Sequence, residues 1–124
     1  MGDRIIVVLK EGKKIHDKPQ WLYDHQILKS EPQKIKGNTE TIITAIDGKE
    51  YMIKYNNDYF VELMSQKEDF IISDRGRLAN LSNDVTIDYN DRKIIFNVIK
   101  TENVFVTIAK SKIDSIKNYF SKKK

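Results

Sequence analysis

The chain of 124 residues has no cysteine, which removes any disulfide framework, any thiolate zinc site and any cysteine nucleophile. Two histidines, His16 and His25, are too few for a histidine-rich metal centre, and nothing near either completes a ligand set. Each reads as a surface or half-buried side chain. No run approaches the roughly 18 apolar residues that span a bilayer. The amino terminus lacks the long apolar core of a signal peptide, so the cytoplasm is the expected compartment. Glycine-rich phosphate loops, a Gly-x-Ser-x-Gly elbow and recognisable carboxylate pairs are missing too, and neither catalysis nor a cofactor is expected.

What the chain does have is charge in blocks. The net value is +4. Residues 110–124 hold six lysines against one aspartate, and residues 10–36 hold seven lysines against four acids. Residues 37–109 carry eight basic and twelve acidic residues. Basic blocks at particular places in a fold can form a footprint for phosphate, although terminal lysines also serve solubility alone.

Hydrophobic periodicity predicts a mainly β fold, with about ten short, mostly antiparallel strands in small sheets and two short helices. Arg4 to Leu9 and Lys13 to His16 read as paired strands around Glu11-Gly12. Asp17 to Gln20, with Pro19, reads as a loop, and Trp21-Leu22-Tyr23 as a patch packed on the core. Gln26 to Ser30 reads as a strand ended by Glu31-Pro32, followed by a projecting loop from Gln33 to Thr39. That loop is a contact element or a plain solvated connection. Thr41 to Ile46 and Lys49 to Tyr55 form a hairpin whose Asp47-Gly48 predicts a two-residue type I′ turn.

Asn56-Asn57-Asp58 offers a helix N-cap. Tyr59, Phe60, Leu63 and Met64 then give a core-facing helix to about Gln66. Phe70 opens an apolar run, and Leu78-Ala79-Asn80-Leu81 reads as buried. Val85, Ile87 and Tyr89 alternate before an Asn90-Asp91 turn, with Ile94 and Phe96 beyond it. A second bend is predicted at Thr101-Glu102-Asn103, leading to a strand at Val104 to Ile108 that looks buried on both faces. Ala109, Ile113, Ile116 and Phe120 share one face of a last helix. The expected organisation is one domain over residues 1–120 and a disordered basic tail over 121–124.

The order and spacing of Phe70, Asp74-Arg75-Gly76, Ala79-Asn80-Leu81 and Val85, then the hairpin IDYNDRKIIF, resemble the LytTR family of bacterial DNA-binding domains. The resemblance is strongest from about Thr41 to Phe120. It implies a transcription regulator that binds double-stranded DNA, as two copies on repeated sites, with loop side chains in successive major grooves. It places contact segments at Lys36 to Thr41, around Arg75 and Asn80, and at Ala109-Lys110, where the family carries Ser-Arg.

The expected DNA-binding residues are Lys34, Lys36, Asn38, Thr39, Arg75, Arg77, Asn80, Lys110 and Lys112. Arg75 could clamp phosphate or read guanine with its forked guanidinium. Asn80 is either a contact to phosphate or a base edge, or a structural amide satisfying buried backbone. Lys110 keeps the charge of the family's arginine and loses its planar fork.

Asp74 stands where the family commonly has histidine, and Arg77 where an aromatic or apolar residue is usual. The first contact loop offers Asn38, Thr39 and Glu40 in place of a base-reading histidine. A receiver or sensor domain usually precedes this family's DNA-binding domain and has no counterpart in these residues; either a partner protein or expression level supplies regulation, or the sequence is a piece of a longer protein. The competing reading is a protein-interaction module of the same fold that has lost DNA binding and acts on a partner regulator through Trp21-Leu22-Tyr23.

Overall fold

The computed structural model describes residues 3–54, 56–99 and 104–122. Ten strands follow in chain order: β1 (Arg4–Glu11), β2 (Lys14–Tyr23), β3 (Ile27–Ile35), β4 (Asn38–Ala45), β5 (Glu50–Ile53), β6 (Phe70–Asp74), β7 (Arg77–Asn80), β8 (Val85–Asp88), β9 (Lys93–Phe96) and β10 (Phe105–Thr107). Helix α1 (Asn57–Met64) lies between β5 and β6, and α2 (Ile113–Lys122) closes the chain. Seven strands join one antiparallel sheet in the order β2-β1-β5-β4-β3-β7-β6, and the other three form a second sheet, β10-β9-β8.

The large sheet is a middle layer with a core on each face. Alternation sends Ile27, Ile43, Phe70 and Leu78 to one side, where they pack with Phe60, Val61 and Met64 of α1. Their neighbours Leu28 and Ala79 go to the other side, against Ile94 and Phe96 of β9, Val106 of β10 and Ile116 of α2. The start of β3, Ile27-Leu28, and the Leu78-Ala79 step of β7 are therefore buried on both faces, and apolar residues follow one another there without alternation.

Prolines sit inside strands, contrary to the expected loop at Asp17 to Gln20 and the expected strand end at Pro32. β2 is the outer strand of the sheet, with Pro19 opposite Val8. Pro32 pairs with Thr41, beyond Lys29 and Ser30, where β3 meets β7. At both positions one strand edge is unpaired, so the missing N–H breaks no ladder. The predicted projecting loop is accordingly an ordered hairpin arm, paired out to Ile35 and Asn38.

Turn chemistry is also redistributed. Lys36 and Gly37, at φ 51° and 83°, carry the two positive φ values of a type I′ turn. The Asp47-Gly48 connection is a three-residue loop instead. Gly48 N–H donates to Ala45 O at 2.9 Å, Ala45 N–H to Lys49 O at 3.0 Å, and only Gly48 takes a positive φ, 82°.

Several surface assignments change. Leu22 alone of the Trp21-Leu22-Tyr23 patch is core, because side chains alternate along β2. Trp21, paired with Ile6 on the outer face, is 50% exposed and carries the Arg4 guanidinium 4.0 Å over its ring. On α1, Phe60 and Met64 are buried as expected, while Tyr59 and Leu63 face outward and Val61 takes their place in the core. β10 is buried on one face only: Val106 is core and Phe105 is exposed under Lys93. Ser121 and Lys122 belong to α2, and the bend at Thr101 to Asn103 lies outside the described residues. No helix among the described residues is long and apolar enough to cross a membrane.

This layering predicts unequal costs for two aromatic truncations. Phe96→Ala should cost about 3–5 kcal/mol, since it empties a fully buried site. Trp21→Ala should cost far less, and urea denaturation of the two variants would check the order.

Candidate nucleic-acid interface

The β3–β4 arm carries Lys34, Lys36, Asn38 and Thr39, all exposed. Cross-strand pairing puts Lys34 beside Thr39 on one face, whereas Asn38 pairs with Ile35 and faces the other way. The four residues thus divide between two surfaces of one rigid tip.

The β6–β7 turn presents Arg75, and its geometry is fixed from two sides. Asn57 Nδ2, at the start of α1, donates to Gly76 O at 3.1 Å, and its Oδ1 accepts from Thr41 Oγ1 at 2.8 Å. Gly76 holds φ at 72°, a conformation that favours glycine, and a Cβ there would lie 3.2 Å from Asn57 Nδ2, which would have to give by a few tenths of an ångström. On the other side, Asp74 Oδ1 accepts the Arg75 N–H at 2.8 Å, and Oδ2 accepts Thr107 Oγ1 at 2.8 Å. The Thr107 hydroxyl and the Arg75 N–H, helped by the nearby Arg77 and Arg92 cations, hold the Asp74 carboxyl below the usual carboxylate range.

The start of the last helix arrives at the same place. Ala109 N–H donates to Ser73 O at 2.7 Å, and Ile108 N–H donates to Arg92 O at 2.8 Å. Lys110, the next residue, opens a 3-10 turn over Lys110–Lys112 and is exposed. Lys112 is partly buried, its N–H bonded back to Ala109 O at 2.8 Å. Meanwhile Thr39 and Arg75 line one shallow groove of about 410 Å³, together with Pro32 and residues 56–58. Thr39 of the β3–β4 arm thus lies beside Arg75 in a groove that also holds the acidic Asp58, and the Ala109-Lys110 step meets β6 at Ser73, two residues before Arg75.

Two of the expected contact residues lie elsewhere. Asn80 is 1% exposed; its Nδ2 donates to Ile27 O at 2.9 Å, and its Oδ1 accepts from Ser82 N–H at 3.1 Å and Ser82 Oγ at 2.7 Å. It is the structural amide, spent on backbone between β3 and the turn after β7. Arg77 turns away from Arg75. Its Nε lies 3.6 Å from Glu31 Oε2, in a cavity of about 660 Å³ between the large sheet and β10.

Sequence reading missed Asn57 and the Asp74–Thr107 pair. Asn56 gave the visible signal, and it does cap α1, accepting from Asp58 N–H at 2.9 Å and Tyr59 N–H at 3.3 Å. Nothing local marks Asn57 as a bridge across 19 residues. No cluster of three or more potential metal ligands occurs among the described residues. The chain matches no known protein-family profile, and no curated protein matches it either.

Two outcomes follow from these bonds. Asn80→Ala should destabilise by about 1–3 kcal/mol, since it strands the Ile27 carbonyl and the Ser82 N–H, and urea denaturation would measure it. Asp74, with its folded pKa below the ordinary aspartate value of 3.8, contributes stability that is present above that value. That contribution is lost as pH falls through the folded pKa. An NMR titration should show the Arg75 amide shifting with a midpoint under 3.8, and Asp74→Asn should abolish that step.

Proposed function

We propose that this chain is a transcription regulator that binds double-stranded DNA, with the β6–β7 turn at the centre of its contact surface. The observation that carries the reading is that Thr39 of the β3–β4 arm shares a groove with Arg75, while Ala109, next to the exposed Lys110, bonds to Ser73 two residues before Arg75. Lys34, Lys36 and Thr39 come from the β3–β4 arm, Arg75 from the turn, and Lys110 from the start of the last helix. Arg75 is exposed on a turn held by Asn57 and Asp74, so little ordering is needed before it clamps phosphate or guanine. Lysines at the flanks add salt-dependent affinity. Asn38, on the opposite face of the same tip, is free to meet a base edge as the arm enters a groove. Asn80 and Arg77 fall outside this surface. The resemblance to LytTR domains adds the expectation of two copies on repeated sites.

A second reading is favoured by a specific observation: Ile6, Trp21 and Tyr23 form an exposed apolar strip on the outermost strand pair. In that reading the chain is a protein-interaction module, and its partner docks on Trp21.

Selection from random duplex DNA at two salt concentrations separates them. A regulator should enrich one motif, with affinity falling steeply as salt rises. Arg75→Ala and Lys110→Ala should each weaken binding about ten-fold or more, in line with roughly 1–3 kcal/mol per good contact. Uniform weak retention of every sequence, unaffected by Arg75→Ala, would end the DNA reading in favour of the Trp21 surface.

A further inference from the structure

The β1–β2 hairpin has no place in the contact scheme above, yet its tip meets the β3–β4 tip. The β1–β2 register shifts between Val8 and Lys10, where Leu9 alone faces three residues of β2, His16 to Lys18. Gly12, at φ 59°, occupies the first central position of the two-residue turn Gly12-Lys13, the favoured place for glycine in a tight hairpin. The two tips share one groove of about 370 Å³, lined by Lys10, Lys13 and Ile15 from one side and Lys34, Ile35 and Lys36 from the other.

No acid lines this groove; most carboxylates near it have a basic partner, whereas Asp17 forms no ion pair among the described residues and the His16 partner of Glu11 carries charge only when protonated. Glu50 takes Lys10 at 3.0 Å, Glu11 takes His16 at 2.6 Å, Glu31 takes Lys29 at 2.8 Å, and Glu40 takes Lys54 at 3.8 Å. Lys13, Lys14, Lys34 and Lys36 are exposed, and among the described residues none of them forms an ion pair. The result is a concentrated excess of positive charge on two ordered turns. It is also continuous with the interface: Lys34 lines this groove, and its cross-strand partner Thr39 lines the groove that holds Arg75.

We propose that the β1–β2 tip is a phosphate-tracking arm of the same DNA-binding surface, with Lys13 and Lys14 contacting the duplex backbone beyond the reach of Arg75 and Lys110. The inference rests on the DNA-binding reading and adds to it a second, sequence-independent strip. Phosphate contacts orient a protein on the duplex without reading bases. Each contact releases condensed counterions, so each adds about 0.9 to the slope of log affinity against log salt.

The test is an anisotropy titration of the full chain against its selected duplex, between about 50 and 200 mM salt. Lys13→Gln/Lys14→Gln should flatten the slope by about two and leave the motif preference unchanged. Lys117→Gln, on α2 beside Tyr89, should leave the slope as in the wild type. A wild-type slope in the Lys13/Lys14 variant, with motif binding intact, would overturn the arm and spare the DNA reading. An equal flattening by Lys117→Gln would also overturn it, since general charge would then explain the effect. A wild-type chain that retains no duplex would overturn both.

Discussion

Leu78 and Ala79 are neighbours in β7, both fully buried, and they point into opposite cores. Most of the molecule depends on that two-sided burial. It makes the large sheet a middle layer, with α1 held on one face and the second sheet with α2 on the other. It also constrains polar chemistry, because a strand covered on both faces has no water to satisfy its ends. Asn80 meets that demand at one end of β7, by bonding to Ile27 O and to Ser82. At the other end β7 leaves the core at Gly76, and the turn emerges with Arg75 exposed.

The candidate interface follows from the same layering. Elements from both sides of the middle layer reach the end of β6. Asn57 comes from the α1 side, and Thr107 and Ala109 come from the second-sheet side. Asp74 is acidic at a place where phosphate is expected, yet its two oxygens point into the protein, at the Arg75 amide and Thr107. It acts as a brace for the turn. Its charge is thus compatible with an exposed cation one residue later.

Much of this was legible in the residues. Period-2 alternation marks β8, the Ile- and Val-rich run marks β1, the Asp47-Gly48 turn marks the β4–β5 hairpin, the Asn56 cap marks the start of α1, and the Ala109, Ile113, Ile116 and Phe120 spacing marks α2. The errors share one cause. Locally proline reads as a strand terminator, but Pro19 and Pro32 stand where a strand edge is unpaired, and edge status depends on which strands lie alongside. Residue type alone places Trp21 in the core, but an outermost strand pair has an uncovered face for it to occupy. Positive φ at Lys36 carries a cost for a non-glycine residue, which the pairing of β3 with β4 sustains.

The sequence by itself determined the local elements: their number and type, the caps, the buried runs and the basic blocks, because these rest on periodicity and on the chemistry of neighbouring residues. Tertiary structure alone decided which cations share a surface. Arg75 and Arg77 are two residues apart, yet one faces the groove beside Thr39 and the other the cavity beside Glu31. Lys13 and Lys34 are distant in the chain and line one groove. Strand order sets these juxtapositions, and it arises from long-range packing that no local pattern encodes.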